Sequence, residues 1–150
     1  MAVNYAREKN LGIAVRTGGH HYSGQSSTSG KNIQLDLSDT FENDFDYDEE
    51  KNLLRVGSSV SLYEFINLMK EQNIFLPVGM CAHVHLAGHV QTGGYGMLRR
   101  SFGLMCDYVE GFEIVLAEGS HKKIWKPNRY YSLLKAIMRS RKQRILWDLK

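Results

Sequence analysis

Two glycine-rich segments constrain the fold of this chain more than any other feature of its sequence. They read "RTGGHHYSGQSS" (16–27) and "GMCAHVHLAGHVQTGGYG" (79–96), and each follows a short apolar run. Glycine adopts positive φ and lets the backbone approach a ligand closely, and successive N–H groups in such a loop form a concave anion site. Two such loops in one small domain indicate a long ligand with a pyrophosphate and a flat ring system.

The first segment is close to two phosphate-binding motifs but matches neither. Gly19, Gly24, Gln25 and Ser26 have the Walker A spacing, yet Gln25 stands where that motif needs lysine. A predicted strand, not a helix, follows it, and the G-x-G-x-x-G dinucleotide fingerprint is absent. A flexible surface loop explains the glycines and serines but not the two histidines. Taken alone, the first segment leaves that alternative open.

The rest of the sequence predicts a mixed α+β fold. Ser61 and Glu64 form a capping-box pattern at the start of a helix whose apolar stripe is Leu62, Phe65, Ile66 and Met69. The order of elements lacks the regular βαβ rhythm of a doubly wound sheet, and residues 39–52 are acidic and typical of turns. Apolar patterns predict helices at 2–10 and 61–73, and strands at 12–16, 32–38, 53–60 and 112–119.

Charge divides the chain into two parts. Residues 120–150 hold ten Lys/Arg and one acid, whereas the remainder holds nine Lys/Arg and fifteen Asp/Glu. The sequence therefore predicts a domain over 1–120 and a basic, helical tail over 121–150. A frameshifted or intron-encoded end explains this shift in composition, and a tail that binds a partner is the alternative. Solvated charge is the commoner use of such a run, so nucleic-acid binding is not expected.

The composition also limits the class of protein. No apolar run approaches the roughly 20 residues of a membrane span, and the N-terminus shows no signal-peptide core. Two cysteines, Cys81 and Cys106, are too few for a disulfide framework, and Cys106 is expected to be structural. These features leave the compartment unassigned.

Four ordered motifs give the chain a family resemblance over about residues 3–119. The sequence resembles the FAD-binding (PCMH-type) domain of the vanillyl-alcohol oxidase / p-cresol methylhydroxylase flavoproteins, and most of all their berberine-bridge-enzyme-like branch. Ala87 and Thr92 depart from its usual glycines. The matching residues are Arg16, Gly18, Gly19, His20, Gly24 and Ser26; Gly79, Cys81, Val84, Gly88, His89, Gly93, Gly94 and Gly96; Arg100, Gly103, Leu104, Asp107 and Val109; and Val115 to Gly119.

The resemblance implies an FAD cofactor, attached covalently through His20 to the flavin 8α carbon and, in bicovalent members, through Cys81 to flavin C6. An imidazole nitrogen and a thiolate are competent nucleophiles, which agrees with that assignment. The resemblance implies the following cofactor-binding residues: Arg16, Thr17, Gly18, Gly19, His20, His21, Gly24, Ser26, Cys81, Val84, Gly88, His89, Gly93, Gly94, Gly96, Asp107, Val109 and Val115.

The activity that the resemblance implies is FAD-dependent oxidation of a small-molecule alcohol or sugar, with molecular oxygen as acceptor. In the family a later substrate domain supplies the catalytic base, so no catalytic residue is expected in these 150 residues. Full-length relatives of this branch are secreted in some cases. The alternative is a truncated, non-catalytic remnant or interaction module that keeps the fold of a partial FAD domain.

A metal site is the competing interpretation of the second segment. Cys81, His83 and His85 alternate, so on a strand they would share one face, with His89 close by. Zinc accepts such ligands, but the spacing matches no familiar zinc module. The flavoprotein motif already accounts for Cys81 and His89, so no metal is expected.

Overall fold

The computed structural model describes residues 1–125, which fold into short helices and three separate two-stranded sheets. The mixed α+β class predicted from the sequence is confirmed. The elements in chain order are α1 (Ala2–Glu8), β1 (Ile13–Arg16), β2 (Ile33–Asp36), β3 (Phe45–Asp48), β4 (Leu53–Val56), α2 (Leu62–Glu71), α3 (Leu86–Gln91), α4 (Arg99–Phe102), a 3-10 turn (Met105–Asp107), β5 (Gly111–Val115) and β6 (His121–Trp125).

The first glycine-rich segment belongs to the connection between two parallel strands. β1 pairs with β2 in parallel, from Ile13 opposite Ile33 to Arg16 opposite Asp36. A parallel pair needs a long crossover to bring the chain back to the same end. Here residues 17–32 make that crossover without a helix, and this places the glycine loop at the carboxyl end of β1.

The α2 helix begins where the capping box predicts. The Ser61 hydroxyl accepts the Glu64 N–H at 3.2 Å, and the Glu64 carboxylate accepts the Ser61 N–H at 2.9 Å. Leu62, Phe65 and Met69 are buried in the larger hydrophobic cluster. Ile66, which the sequence places in the same stripe, is 44% exposed, so the buried face is narrower than predicted.

The sequence patterns do not predict β3, α3 or α4. β3 lies inside the acidic segment 39–52, for which the sequence predicts turns, and it pairs antiparallel with β4. Its Phe45 packs against the core while Asp46 points outward, so an alternating strand was concealed by its acidic residues. The helix α3 lies within the second glycine-rich segment, and α4 follows it. The many glycines there leave no apolar pattern of helical period in the sequence.

The strand β6 belongs to the folded domain, although the sequence predicts that its residues are part of the tail. It pairs antiparallel with β5, with Ile124 opposite Phe112. Ile124 is buried with Cys106, Phe112 and Ile114, so apolar burial extends the domain beyond residue 120. The helix predicted for the rest of the tail lies outside the described residues. Between residues 1 and 125, the helices are all too short or too polar to cross a membrane.

Replacing Ile124 with alanine should destabilise the fold by about 2–4 kcal/mol, because it removes buried methyl groups and leaves a cavity. Ile124→Ala is measured against Lys122→Ala, whose side chain is exposed on the same strand, by urea unfolding of the full chain. Equal stabilities for the two variants would show that β6 is not part of the core.

Candidate functional site

The two glycine-rich segments meet at Gly18. A Cβ built on Gly18 would lie 2.8 Å from the His83 carbonyl oxygen and 2.8 Å from His85 Cδ2, closer than real Cβ atoms come to such atoms. Only glycine therefore allows this approach. His20 and Cys81 each lie two residues, roughly 7 Å of chain, from this contact, and both are exposed. The tertiary structure thus brings both predicted attachment residues to one region.

The first loop presents a run of free backbone donors. From Gly18 to Ser23, the N–H groups have no hydrogen-bond acceptor among residues 1–125. The run ends where the Gly24 N–H donates to the His21 carbonyl at 2.9 Å. Gly19 and Gly24 have φ of 72° and 69°, the left-handed region that favours glycine. Such a run of free N–H groups is an anion site.

Gln34 anchors the far end of this loop, and the sequence analysis missed it. Its side-chain amide donates to the Ala14 carbonyl at 3.2 Å and the Ser26 carbonyl at 3.0 Å, and it accepts the Thr28 N–H at 3.1 Å. The only signal in the sequence is a polar residue between Ile33 and Leu35. That pattern shows which face Gln34 occupies but not what it binds.

Arg16 and Asp36 close the near end of the loop. These residues are partners in the register of β1 and β2, and Arg16 Nε donates to the Asp36 carboxylate at 2.9 Å. The hydrogen bond from Arg16, followed by that from the Ser38 N–H, lowers the pKa of Asp36 to about 2. The Arg16 side chain also passes beneath Gly19, whose Cβ would lie 3.2 Å from Arg16 Cδ. The predicted cofactor residue Arg16 therefore supports the loop.

His89 holds the second loop together. Its Nε2 accepts the Gly79 N–H at 3.0 Å, so we assign its ring proton to Nδ1. Burial lowers the pKa of His89, which keeps the imidazole neutral as this acceptor role requires. A Cβ on Gly94 would lie 3.4 Å from the same ring and 2.6 Å from Met105 Cβ. The ring thus joins the beginning and the end of the loop.

The glycines of the second loop fall into two groups. A Cβ on Gly96 would lie 1.8 Å from the Val78 carbonyl oxygen, whereas a Cβ on Gly88 would meet nothing within 4 Å. Gly96 is therefore required for packing of the protein itself. Gly88, within α3, faces open space and is available for a close approach by a ligand.

Several other predicted site residues support the loops from the core. The Asp107 carboxylate accepts the Leu104 N–H at 3.1 Å, and Val84 and Val109 pack against the two hydrophobic clusters. Val115 belongs to β5. None of these contacts tests binding of a cofactor by these residues, which stays a prediction.

The remaining predicted residues lie in the loops themselves. Thr17 is half-buried, and the His21 ring lies 3.1 Å from the Ser23 hydroxyl. Gly93 has φ of 99°. Thr92, which departs from the family glycine, turns its hydroxyl back to the Gly88 and His89 carbonyls, so it closes the end of α3.

The strand geometry behind the metal interpretation is not formed. Ala82 and His83 form a turn, and only His85 makes a β-bridge, to Ser61. Cys81, His83 and His85 therefore do not share one face of a strand. Within residues 1–125, no group of three or more His, Cys, Asp or Glu side chains is placed to hold a metal ion.

These features fit a dinucleotide cofactor. The free N–H groups suit a pyrophosphate, Gly88 leaves room for a ligand, and the exposed imidazole of His20 and thiol of Cys81 lie near the loop contact. The His85 imidazole at the loop contact makes no hydrogen bond in the described part of the chain.

Comparisons with known proteins identify the family of this chain. The family model described as "FAD binding domain" matches residues 1–124. The chain is 32% identical to FAD-linked oxidoreductase nodO of Hypoxylon pulicicidum over 121 residues, which are 81% of this chain and 26% of that protein. It is 33% identical to Berberine bridge enzyme-like 18 of Arabidopsis thaliana over 119 residues, which are 79% of this chain and 22% of that protein.

A solved structure shows the same fold. 6-Hydroxy-D-nicotine oxidase from Arthrobacter nicotinovorans superposes with a TM-score of 0.81 at 28% identity, over 91% of this chain and 29% of that chain. The chain therefore spans about a quarter of the length of the relatives that it matches.

Gly96→Ala should destabilise the fold by several kcal/mol, because its Cβ would overlap a backbone oxygen that cannot easily move. The matched control is Gly88→Ala, which should be neutral or stabilising by up to about 1 kcal/mol, since it adds alanine to an open helical position. Thermal unfolding of both variants measures the difference. Equal losses of stability would contradict this division of the glycines.

Removing the Asp36 carboxylate should cost at most about 1 kcal/mol at pH 7, because the pair with Arg16 is 38% exposed on each side. The pKa of Asp36 is about 2 in the folded chain, below its ordinary value of 3.8. The stabilisation is therefore complete above about pH 4 and is lost as the pH falls through 2.

The test of the Asp36 contribution compares Asp36→Asn with Asp46→Asn, an exposed position on β3, by urea unfolding at pH 7, 4 and 2.5. The difference in free energy of unfolding between the two variants should shrink only at the lowest pH. A constant difference across the series would refute the role of the charged form.

Proposed function

This chain belongs to the FAD binding domain family of FAD-linked oxidoreductases, and from that premise we propose that it holds FAD for oxidation of an alcohol or sugar CH–OH group, with oxygen as acceptor. The observation that carries the proposal is the run of free N–H groups from Gly18 to Ser23 beside the second glycine loop. When bound, FAD supplies the hydride-accepting ring. The residues of the chain bind and orient it.

The first loop would bind the pyrophosphate. Its backbone donors are already fixed by Gln34 at one end and by the Arg16–Asp36 pair at the other. Because the loop is preorganised, binding costs less conformational entropy than ordering a flexible segment would. Charge-assisted hydrogen bonds from N–H groups to an anion are stronger than bonds between neutral groups.

His20 and Cys81 are the proposed covalent attachment residues. Both are exposed and lie close to the loop contact, which supports access of each side chain to one flat ring system. In each attachment, the hydrogen on the side-chain atom and one flavin C–H hydrogen give way to a new bond. His20 and Cys81 would hold the cofactor through these bonds, and the two hydrogens lost in each attachment would leave as hydrogen peroxide with oxygen, the proposed acceptor, as the oxidant.

The oxidation of a substrate, as distinct from the binding of FAD, is proposed from the family alone. Within residues 1–125 we assign no catalytic base, and the chain corresponds to about a quarter of its relatives. The substrate, an alcohol or a sugar, is the expectation that the resemblance implies. The alternative proposal is a non-catalytic remnant or interaction module, which would keep the fold without holding FAD.

Equilibrium titration of the full chain with FAD, followed by flavin fluorescence, separates the two proposals. The cofactor-binding proposal predicts saturable quenching that ADP competes away, because ADP carries the same pyrophosphate. No saturable binding of either FAD or ADP would favour the non-catalytic module.

Covalent attachment is tested by intact mass after incubation with FAD in air and denaturation. The wild-type mass should rise by one FAD, and the His20→Ala/Cys81→Ala double variant should show no rise. His21→Ala is the matched control, since it removes the adjacent exposed imidazole, keeps the backbone N–H by which His21 would bind the cofactor, and should keep the adduct. An adduct that persists in the double variant would rule out these attachment residues.

A further inference from the structure

The His85 imidazole lies at the contact between the two loops and is not explained by the packing of the chain. Its Cδ2 lies where a Gly18 side chain would begin, so the ring sits directly on the start of the free N–H run. Nδ1 of His85 is fully buried and has no hydrogen-bond partner within residues 1–125. The other ring nitrogen, Nε2, also makes no hydrogen bond within residues 1–125, but it is not fully buried. Nε2 is therefore the nitrogen that reaches solvent.

This difference between the two nitrogens selects a tautomer. A neutral imidazole carries its proton on one nitrogen and a lone pair on the other. Buried N–H groups without an acceptor are rarer in proteins than buried acceptors without a donor. The proton of His85 therefore belongs on Nε2, where water or a ligand accepts it, and the lone pair of Nδ1 is buried.

The ring stays neutral among the groups that face it. Burial lowers the pKa of His85. The charged or titratable groups around it are Glu64 of α2, His20 of the first loop, Asp36 at the end of β2, and Asp39 beyond it. Glu64 is held by Ser61, and Asp36 by Arg16. The neutral ring packs against Gly18, where the run of free donors begins, so its N–H would add a donor from the second loop.

We propose that the Nε2–H of His85 is a further donor to the phosphate of a bound dinucleotide, and that this bond joins the second loop to the anion site of the first. The inference rests on the proposed FAD-binding function and adds to it a side-chain contact. The phosphate would then be bound by backbone N–H groups of the first loop and by the His85 side chain of the second.

The first test measures ADP and FAD affinity of the full chain by isothermal titration calorimetry. His85→Phe keeps a ring on Gly18 but removes the donor, so affinity should fall about tenfold, the loss of one hydrogen bond to a charged group. Thermal stability should be unchanged or higher, because the unpaired Nδ1 is also removed. His83→Phe is the control, as an exposed neighbour that should leave the affinity unchanged.

Amide variants make the test specific to the Nε2 position. His85→Gln places an N–H donor near the site of Nε2 and should recover part of the affinity, whereas the shorter His85→Asn should not. Unchanged affinity in His85→Phe would overturn the inference, and tighter binding would show that the ring only obstructs the site. If wild-type protein binds neither ADP nor FAD, the proposed function itself fails and this inference fails with it.

Nitrogen chemical shifts give a readout independent of affinity. In ¹⁵N-histidine-labelled protein, long-range ¹H–¹⁵N spectra should show His85 protonated on Nε2 and His89 on Nδ1. Inorganic pyrophosphate should shift the Nε2 signal of His85 and leave that of His89 unchanged. A proton on Nδ1 of His85, or no response to pyrophosphate, would overturn the inference.

Discussion

The site depends on one close contact, that of Gly18 with the backbone and side chains of the second loop. Gly18 has no room for a Cβ between the His83 carbonyl and the His85 ring. Because the two loops touch at this point, the free N–H groups of one and the exposed thiol of the other belong to one region. Any larger residue at Gly18 would separate them.

Side chains around that contact hold the two loops by hydrogen bonds and leave the donors of the first loop free. Gln34 and the Arg16–Asp36 pair hold the ends of the first loop, and His89 holds the second. Between these supports, the N–H groups from Gly18 to Ser23 have no acceptor in residues 1–125. A rigid frame with a localised set of unpaired donors is what binding of an anionic ligand requires.

Residues of the same type have different roles in this fold, and the sequence does not distinguish them. Gly96 makes room for a backbone oxygen of the chain itself, whereas Gly88 faces open space. His20 is exposed, whereas the His89 ring accepts a hydrogen bond from the Gly79 N–H. Motif spacing identified all four residues as site candidates, because spacing records position along the chain and not what each residue approaches in three dimensions.

The sequence by itself determined the mixed fold class, the start of α2 at its capping box, the strands β1 and β2, and the two glycine segments that form the site. Each of these follows from local physics: side-chain periodicity, capping chemistry and the backbone freedom of glycine. The tertiary structure alone decided that β6 completes the domain, that Gln34 anchors the loop, and that His85 lies on Gly18. Those outcomes depend on burial and on contacts between residues distant along the chain, which no local pattern encodes.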